Sequence, residues 1–476
     1  MKAGNLSETI RAGRAVTRIT PPLGIRLQGS ITRDQPAWRV MDDLYAKTLL
    51  LESGGKRFAL ITCDVIEFSR EFVEELRGEI EARHSIPASH LMLCPSHTHT
   101  GPPTIRLGSV LPDPDYLAQL RRYMVGSLLS AERTMTDVAV SVGRGQTDRV
   151  GMNRRLPTER GIRQLPNPDG IIDPEVQVLR FDRLDGTPFA FLVNFATHPT
   201  TLGVHVYQVS ADYPGRMQRI VEQVYGGETP VYFTQGACGD VKAAAIGEDG
   251  NFKEGEEEDI DRLGRILAGE VIKTLEDCRR LVDAQVRAAL RTVRFPYVEM
   301  PAEEELARLI EFHRREVQRW QNPDEETLGG IDWEDKHINR VSMHEDMVGW
   351  ATRMLDATRR GTMKDHALGD VQVLRFGEEA ALVGVPGELF SEIGLELKRR
   401  SPLPNTMICG YTNGTLGYIP SRKAVQEGGY EVADAYKLYG FPACFHGDTE
   451  ELLYRETTSL IEETESRDGE MMRRIE

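Results

Sequence analysis

Cys94-Pro95-Ser96-His97-Thr98-His99-Thr100-Gly101-Pro102 follows the apolar run Leu91, Met92, Leu93 and ends on a Gly-Pro-Pro break. At strand spacing His97 and His99 point the same way, because side chains at i and i+2 share a face. The C-terminal end of a strand is where open α/β sheets place their ligands. Neutral imidazole is the commonest metal-binding side chain, so the pair reads as half of a metal site. Two solvated histidines on a polar strand end are the plainer alternative.

The same punctuation recurs downstream. Two apolar runs, 176–181 and 188–195, flank a turn with Asp185-Gly186 and write a hairpin. Its second strand leads straight into Ala196-Thr197-His198-Pro199. The run 380–385 ends in Pro386-Gly387-Glu388 just before a helix from Ser391, and the run 406–411 is followed by a small-residue loop to Tyr418. Each has a plain reading: His198 as a hydrogen-bonded core imidazole, Glu388 as a helix cap, Tyr418 as a packed aromatic. Four equivalent strand ends carrying such side chains are better explained by one site. Zinc takes imidazole and carboxylate ligands, and a catalytic zinc keeps one position open.

Around these ends the chain alternates strands and helices. Helical periodicity marks 71–84 and 115–135, and 251–280 reads as a charged helix. Strand signals mark 46–52, 57–65, 138–145, 231–233 and 370–376. The fold class is α/β, with mixed β-sheets layered with helices. The segment 301–362 is charged, broken at Asn322-Pro323 and Gly329-Gly330, and reads as an exposed helical layer or lid whose His313, His337 and His344 are solvated. With no repeat or linker, 1–476 is expected to be a single domain carrying that helical insertion.

Lys and Arg total 58 against 74 Asp and Glu, a net charge of −16. That balance disfavours nucleic acid and anionic membranes as partners. No stretch approaches the roughly 20 apolar residues of a membrane span. The start lacks an apolar signal region, and the six cysteines lack CxxC spacing, which together lead to the expectation of a cytoplasmic protein with reduced thiols.

The order Ser96 to Pro102, Asn153-Arg154, Asn194-Phe195-Ala196-Thr197-His198, Pro386-Gly387-Glu388, Asn413 through Tyr418 and Tyr430-Glu431 resembles the neutral/alkaline (non-lysosomal) ceramidase family over nearly the whole chain. The resemblance implies a ceramidase-like catalytic fold in sphingolipid and lipid metabolism. It implies one Zn2+ held by His97, His198, Glu388 and Tyr418, with His99, Arg154 and Tyr430 lining the reaction centre. The implied activity is zinc-dependent hydrolysis of an N-acyl amide, a linear amide in a small-molecule or lipid-like substrate, by metal-bound water.

Two departures shape that expectation. Lys242 in Gly239-Asp240-Val241-Lys242 stands where the family carries a serine proposed as important, so a serine nucleophile is not expected. Lys242 then either holds an anionic substrate group, pairs with Asp240, or lies on the surface. Members also often add an immunoglobulin-like sandwich after the catalytic part. Here a helical tail at 450–463 follows soon after Tyr430, favouring a relative that cleaves a smaller N-acyl compound. The rival readings are a metal-dependent hydrolase or lyase acting on a sugar derivative or ester, and a scaffold with structural histidines. A TIM-barrel amidohydrolase is disfavoured, because no eightfold alternation surrounds the His-x-His pair.

Overall fold

The computed structural model describes residues 10–30, 32–323 and 339–465. Runs such as Leu49-Leu50-Leu51 and Phe58-Ala59-Leu60-Ile61 are apolar at both parities, so strands made from them have to be buried on both faces. The strands are β1 (Ile10–Arg18), β2 (Tyr45–Ser53), β3 (Lys56–Cys63), β4 (Leu91–Pro95), β5 (Thr136–Gln146), β6 (Glu175–Arg183), β7 (Pro188–Phe195) and β8 (Val231–Gln235). They form one mixed sheet in the order β8-β7-β6-β5-β1-β2-β3-β4, with Arg279–Arg280 beside β5. A second sheet has the order β9 (Val286–Pro296), β10 (His366–Phe376), β11 (Ala380–Gly384), β12 (Asn405–Cys409).

Alternation along the strands builds four layers. Leu49, Leu60, Met92, Leu179 and Leu192 on one face of the large sheet meet Leu374, Leu382 and Met407 of the second sheet in a shared core. On the other face, Leu50, Ile61 and Leu93 pack on α1 (Arg70–His84) and α2 (Pro114–Glu132). Val178, Val193 and Phe233 pack on α3 (Asp212–Val224) and α4 (Glu257–Glu276). The outer face of the second sheet, with Val373, Val383 and Ile408, is covered by Ile393 and Leu397 of the helix Ser391–Arg400 and by Leu453 and Leu460 of the helix Thr449–Glu463. Helix boundaries follow local chemistry: Ser69 caps α1 by accepting from Phe72 N–H, and Asp113 caps α2 ahead of Pro114.

The large sheet curls, and this positions the site. Tyr232 Oη on β8 donates to Thr48 O on β2 (2.8 Å), and Lys47 Nζ donates to Val231 O (2.8 Å). Asn194 Nδ2 on β7 donates to Ile408 O on β12 (3.0 Å), and Leu93 N–H on β4 donates to Asn413 Oδ1 (3.1 Å). The three parallel pairs, β3/β4, β7/β8 and β11/β12, thereby bring their C-terminal ends to one edge of the sandwich.

Within 301–362 two helices, Glu303–Gln321 and Arg340–Arg359, pack on each other through Leu306, Ile310, Trp350 and Leu355. Met347 of the second helix meets Leu107 and Leu438. The expectation of solvated histidines here is corrected. His313 and His344 face each other across the helix pair with their Nδ1 atoms 2.9 Å apart, and His344 is buried. The packing of the two helices brings the rings together, with His313 half-buried. His337 lies outside the described residues.

Burial, and then His344, push the His313 pKa from 6.5 down to about 4; Glu316 and Asp434 act against that shift and Lys437 with it. A histidine depressed in the folded state means that the unfolded chain binds more protons. Its stabilising contribution is therefore complete above pH 6.5 and lost as the pH falls towards 4. Hydrogen exchange corrected for intrinsic rates is expected to show the helices Glu303–Gln321 and Arg340–Arg359 losing protection over that interval before β1 to β4 do. His313→Gln should flatten the response, and equal protection at both ends of the interval would contradict it.

Candidate metal centre

The strand ends contribute the side chains of the site. β4 stops at Pro95, so His97 and His99 lie beyond it and do not alternate on a strand face as the spacing suggested. They converge because His97 takes a left-handed backbone, φ 67°. Tyr411 (φ 62°) and Asn413 (φ 58°), just after β12, do the same. Left-handed backbone at a residue bearing a side chain costs roughly 1–2 kcal/mol, and such outliers gather at functional sites. The Tyr411 ring lies on His97, centroids 4.1 Å apart. Gly29 gives His99 its room: a Cβ there would sit 2.5 Å from the His99 Cβ.

Hydrogen bonds fix the tautomers. His97 Nδ1–H donates to Ile66 O (3.0 Å), His99 Nδ1–H to Gly29 O (3.0 Å) and His198 Nδ1–H to Cys238 O (2.7 Å). In neutral rings this leaves each Nε2 a bare lone pair. Yet His97 Nε2 and His99 Nε2 are 3.1 Å apart, and His198 Nε2 is 2.8 Å from Glu388 Oε2. Burial, then the Arg154 charge, lower the His198 pKa to about 4, so a second ring proton does not relieve the contact. Electron pairs facing one another away from water are stabilised by a cation between them. The ligand atoms of His97, His99 and His198, and those of Glu67, His97 and Glu388, lie within 4.8 Å of one another in each group. The donor set fits a divalent metal, and backbone carbonyls orient each imidazole as in known metal sites.

Glu388 and Tyr418 sit on paired two-residue strands, Glu388–Leu389 and Tyr418–Ile419. Glu388 is fully buried, and the start of the next helix at Ser391 is capped by Asp240, whose Oδ1 accepts from Ser391 N–H (2.8 Å). The capping role considered for Glu388 is thus taken. Tyr418 stacks on His198, centroids 6.3 Å apart, and its Oη accepts from Arg154 Nη2 (2.9 Å). Arg154 also donates to Glu431 Oε1 (2.9 Å) and Gly239 O (2.8 Å). Tyr430 stands edge-on to Tyr418, centroids 6.0 Å apart.

Two neighbours, Glu67 and Tyr439, escaped the sequence reading, and Glu431 was noted there without a role. Glu67, fully buried, lies 3.4 Å from His97 Nδ1, and its Oε2 has no partner. Its signal was present, a carboxylate just past the apolar strand β3. Tyr439 Oη donates to Glu388 Oε1 (2.5 Å) and lies 3.2 Å from Glu67 Oε1. Tyr439, on a short helical turn, carries no local signal. Burial, then the Glu388 charge, push the Glu67 pKa well up.

No family model matches the chain. Solved structures share its fold, among them two ceramidases. One is neutral ceramidase from Pseudomonas aeruginosa, with TM-score 0.68, 15% identity, and coverage of 96% of this chain and 75% of that one. The other is described as a ceramidase complexed with C2, with TM-score 0.68, 14% identity, and coverage of 95% and 74%. The chain therefore has a neutral-ceramidase-like α/β fold with a buried His/Glu cluster that could hold a metal. Among the described residues no helix is long and apolar enough to cross a membrane.

The chain purified without chelator is expected to carry a divalent metal by elemental analysis. Chelation should destabilise it by roughly 3 kcal/mol at metal concentrations near a hundred times Kd. His198→Ala should weaken metal binding at least about 10-fold. Equal metal content in wild type and variant would contradict the assignment.

Proposed function

We propose that the chain is a zinc-dependent hydrolase that cleaves an N-acyl amide bond. The observation carrying this is that His97 Nε2 (3.4 Å) and His198 Nε2 (2.8 Å) both face Glu388 Oε2 with no proton donor between them, on a neutral-ceramidase-like fold. In this reading His97, His198, Glu388 and Tyr418 hold the ion, with the nitrogen and oxygen donors that suit zinc. When bound, zinc polarises a carbonyl and brings the pKa of water to about 7.

The chain's own groups divide the remaining work. His99 is the half-buried member of the triad, so it faces the approach to the site. Its Nδ1–H is committed to Gly29 O, leaving Nε2 to take a proton and pass it to the leaving nitrogen. Arg154 is held by Glu431, Gly239 O and Tyr418 through Nε and Nη2, leaving Nη1 to donate to the developing oxyanion. Tyr430 Oη is the second donor. A preorganised donor of this kind is worth roughly 10²–10³ in kcat. The substrate in this reading is a small-molecule or lipid-like N-acyl compound.

The test is acyl release from a panel of N-acyl amides, esters and glycosides. Amide cleavage lost on chelation and restored by zinc is expected. His99→Ala should lower kcat by about 10²–10⁴ while metal content holds. Turnover of esters or glycosides with none of amides would overturn the amidase reading.

A further inference from the structure

We infer that the substrate carries an anionic group on its amine half and that Lys242 binds it; this rests on the amide-hydrolase reading and narrows it. Lys242 lies in Val241–Ala243, which pairs antiparallel with Gly151–Asn153, Lys242 opposite Met152. On the other side the backbone of His198 bridges Lys242 in parallel register. Paired residues in such ladders project to the same face. Lys242 therefore shares a face with Met152 and is the backbone neighbour of His198 in the candidate centre.

The alternatives left open by the sequence are removed one by one. Asp240 is not its partner: Asp240 Oδ1 accepts from Ser391 N–H and Oγ (both 2.8 Å), and Oδ2 from Asn153 Nδ2 (3.2 Å). Among the described residues no carboxylate lies within ion-pair distance of Lys242 Nζ. The ammonium instead rests 5.1 Å from the centroid of the Phe252 ring. Lys242 is half-buried rather than a surface side chain. A desolvated ammonium left without an anion is unfavourable unless its partner arrives from outside.

The surrounding charge agrees. Arg33, buried, donates to the carbonyls of Gln28, His99 and Gly203 and has no partner at Nε. Arg154 and Arg155 share the carboxylate of Glu431, and Arg155 also pairs with Glu427 Oε2 (3.6 Å). Glu254 is the acidic group whose field reaches both Arg33 and Lys242, and its Oε2 is engaged by Val204 N–H (2.6 Å). A chain of net charge −16 thus sets cations beside its candidate centre, an arrangement that focuses an anionic ligand there. A carboxylate on the amine half of an N-acyl amide, as in an N-acyl amino acid, would place that anion a few bonds from the scissile carbonyl.

The test compares N-dodecanoylglycine with N-dodecanoylethanolamine on the zinc-loaded chain. These share the acyl group and the amide and differ in the anion. The wild type is expected to favour the glycine conjugate at least 10-fold in kcat/KM, mainly through KM, with the preference shrinking as salt rises. In Lys242→Met the ratio should fall to near one, and in Lys242→Arg most of it should return. Equal use of both substrates by the wild type, a preference for the neutral one, or a ratio unchanged in Lys242→Met would each overturn the inference and leave the hydrolase reading standing. Cleavage of neither amide would overturn that reading, and this inference with it.

Discussion

The site depends on one electrostatic constraint: side chains that can only accept a hydrogen bond are pressed together out of reach of water. Three backbone carbonyls, of Ile66, Gly29 and Cys238, take the Nδ1 protons of His97, His99 and His198. The opposite nitrogens then have no proton to offer each other or Glu388. Burying polar groups without partners costs several kcal/mol, and the fold accepts left-handed backbone at His97, Tyr411 and Asn413 on top of that. Such a centre is stable when a cation shares its electron pairs.

The scaffold explains how residues so distant in sequence meet. Three parallel strand pairs in two sheets end at the same edge, and the curl of the large sheet draws β4 and β7 towards β12. Close backbone approach completes the fit. A Cβ on Gly239 would fall 2.5 Å from Glu388 O, so the loop after β8 can lie directly on the strand that presents the carboxylate. The same loop leads to Asp240, which caps the following helix, and to Lys242 beside His198. Candidate metal ligands, helix start and candidate substrate cation are thus joined by five consecutive residues or their neighbours across the ribbon.

Much of this was legible in the sequence. Apolar runs bounded by Pro or Gly marked β4, β7, β11 and β12, and the polar residue after each run is what the centre uses. The strand β9 was not legible, because arginines at 287, 291 and 294 interrupt its apolar pattern and its burial comes from pairing with β10. The His-x-His pair converges as expected, through a left-handed residue rather than strand alternation. Glu67 repeats the strand-end signal and went unread, whereas Tyr439 reaches Glu388 from a short helix whose sequence says nothing of it. His313 and His344 looked like surface residues in a charged segment. Their pairing is set by the packing of the two helices on each other, which local composition does not encode.

The central claim is that the facing electron pairs enclose a divalent ion. Anomalous diffraction collected on either side of the zinc absorption edge, from crystals grown without chelator, tests it most directly. The account predicts a single strong peak about 2.0–2.2 Å from His97 Nε2, His198 Nε2 and a Glu388 oxygen. Well-ordered density for all three side chains with no peak between them, and a water or ring proton bridging the nitrogens instead, would contradict it.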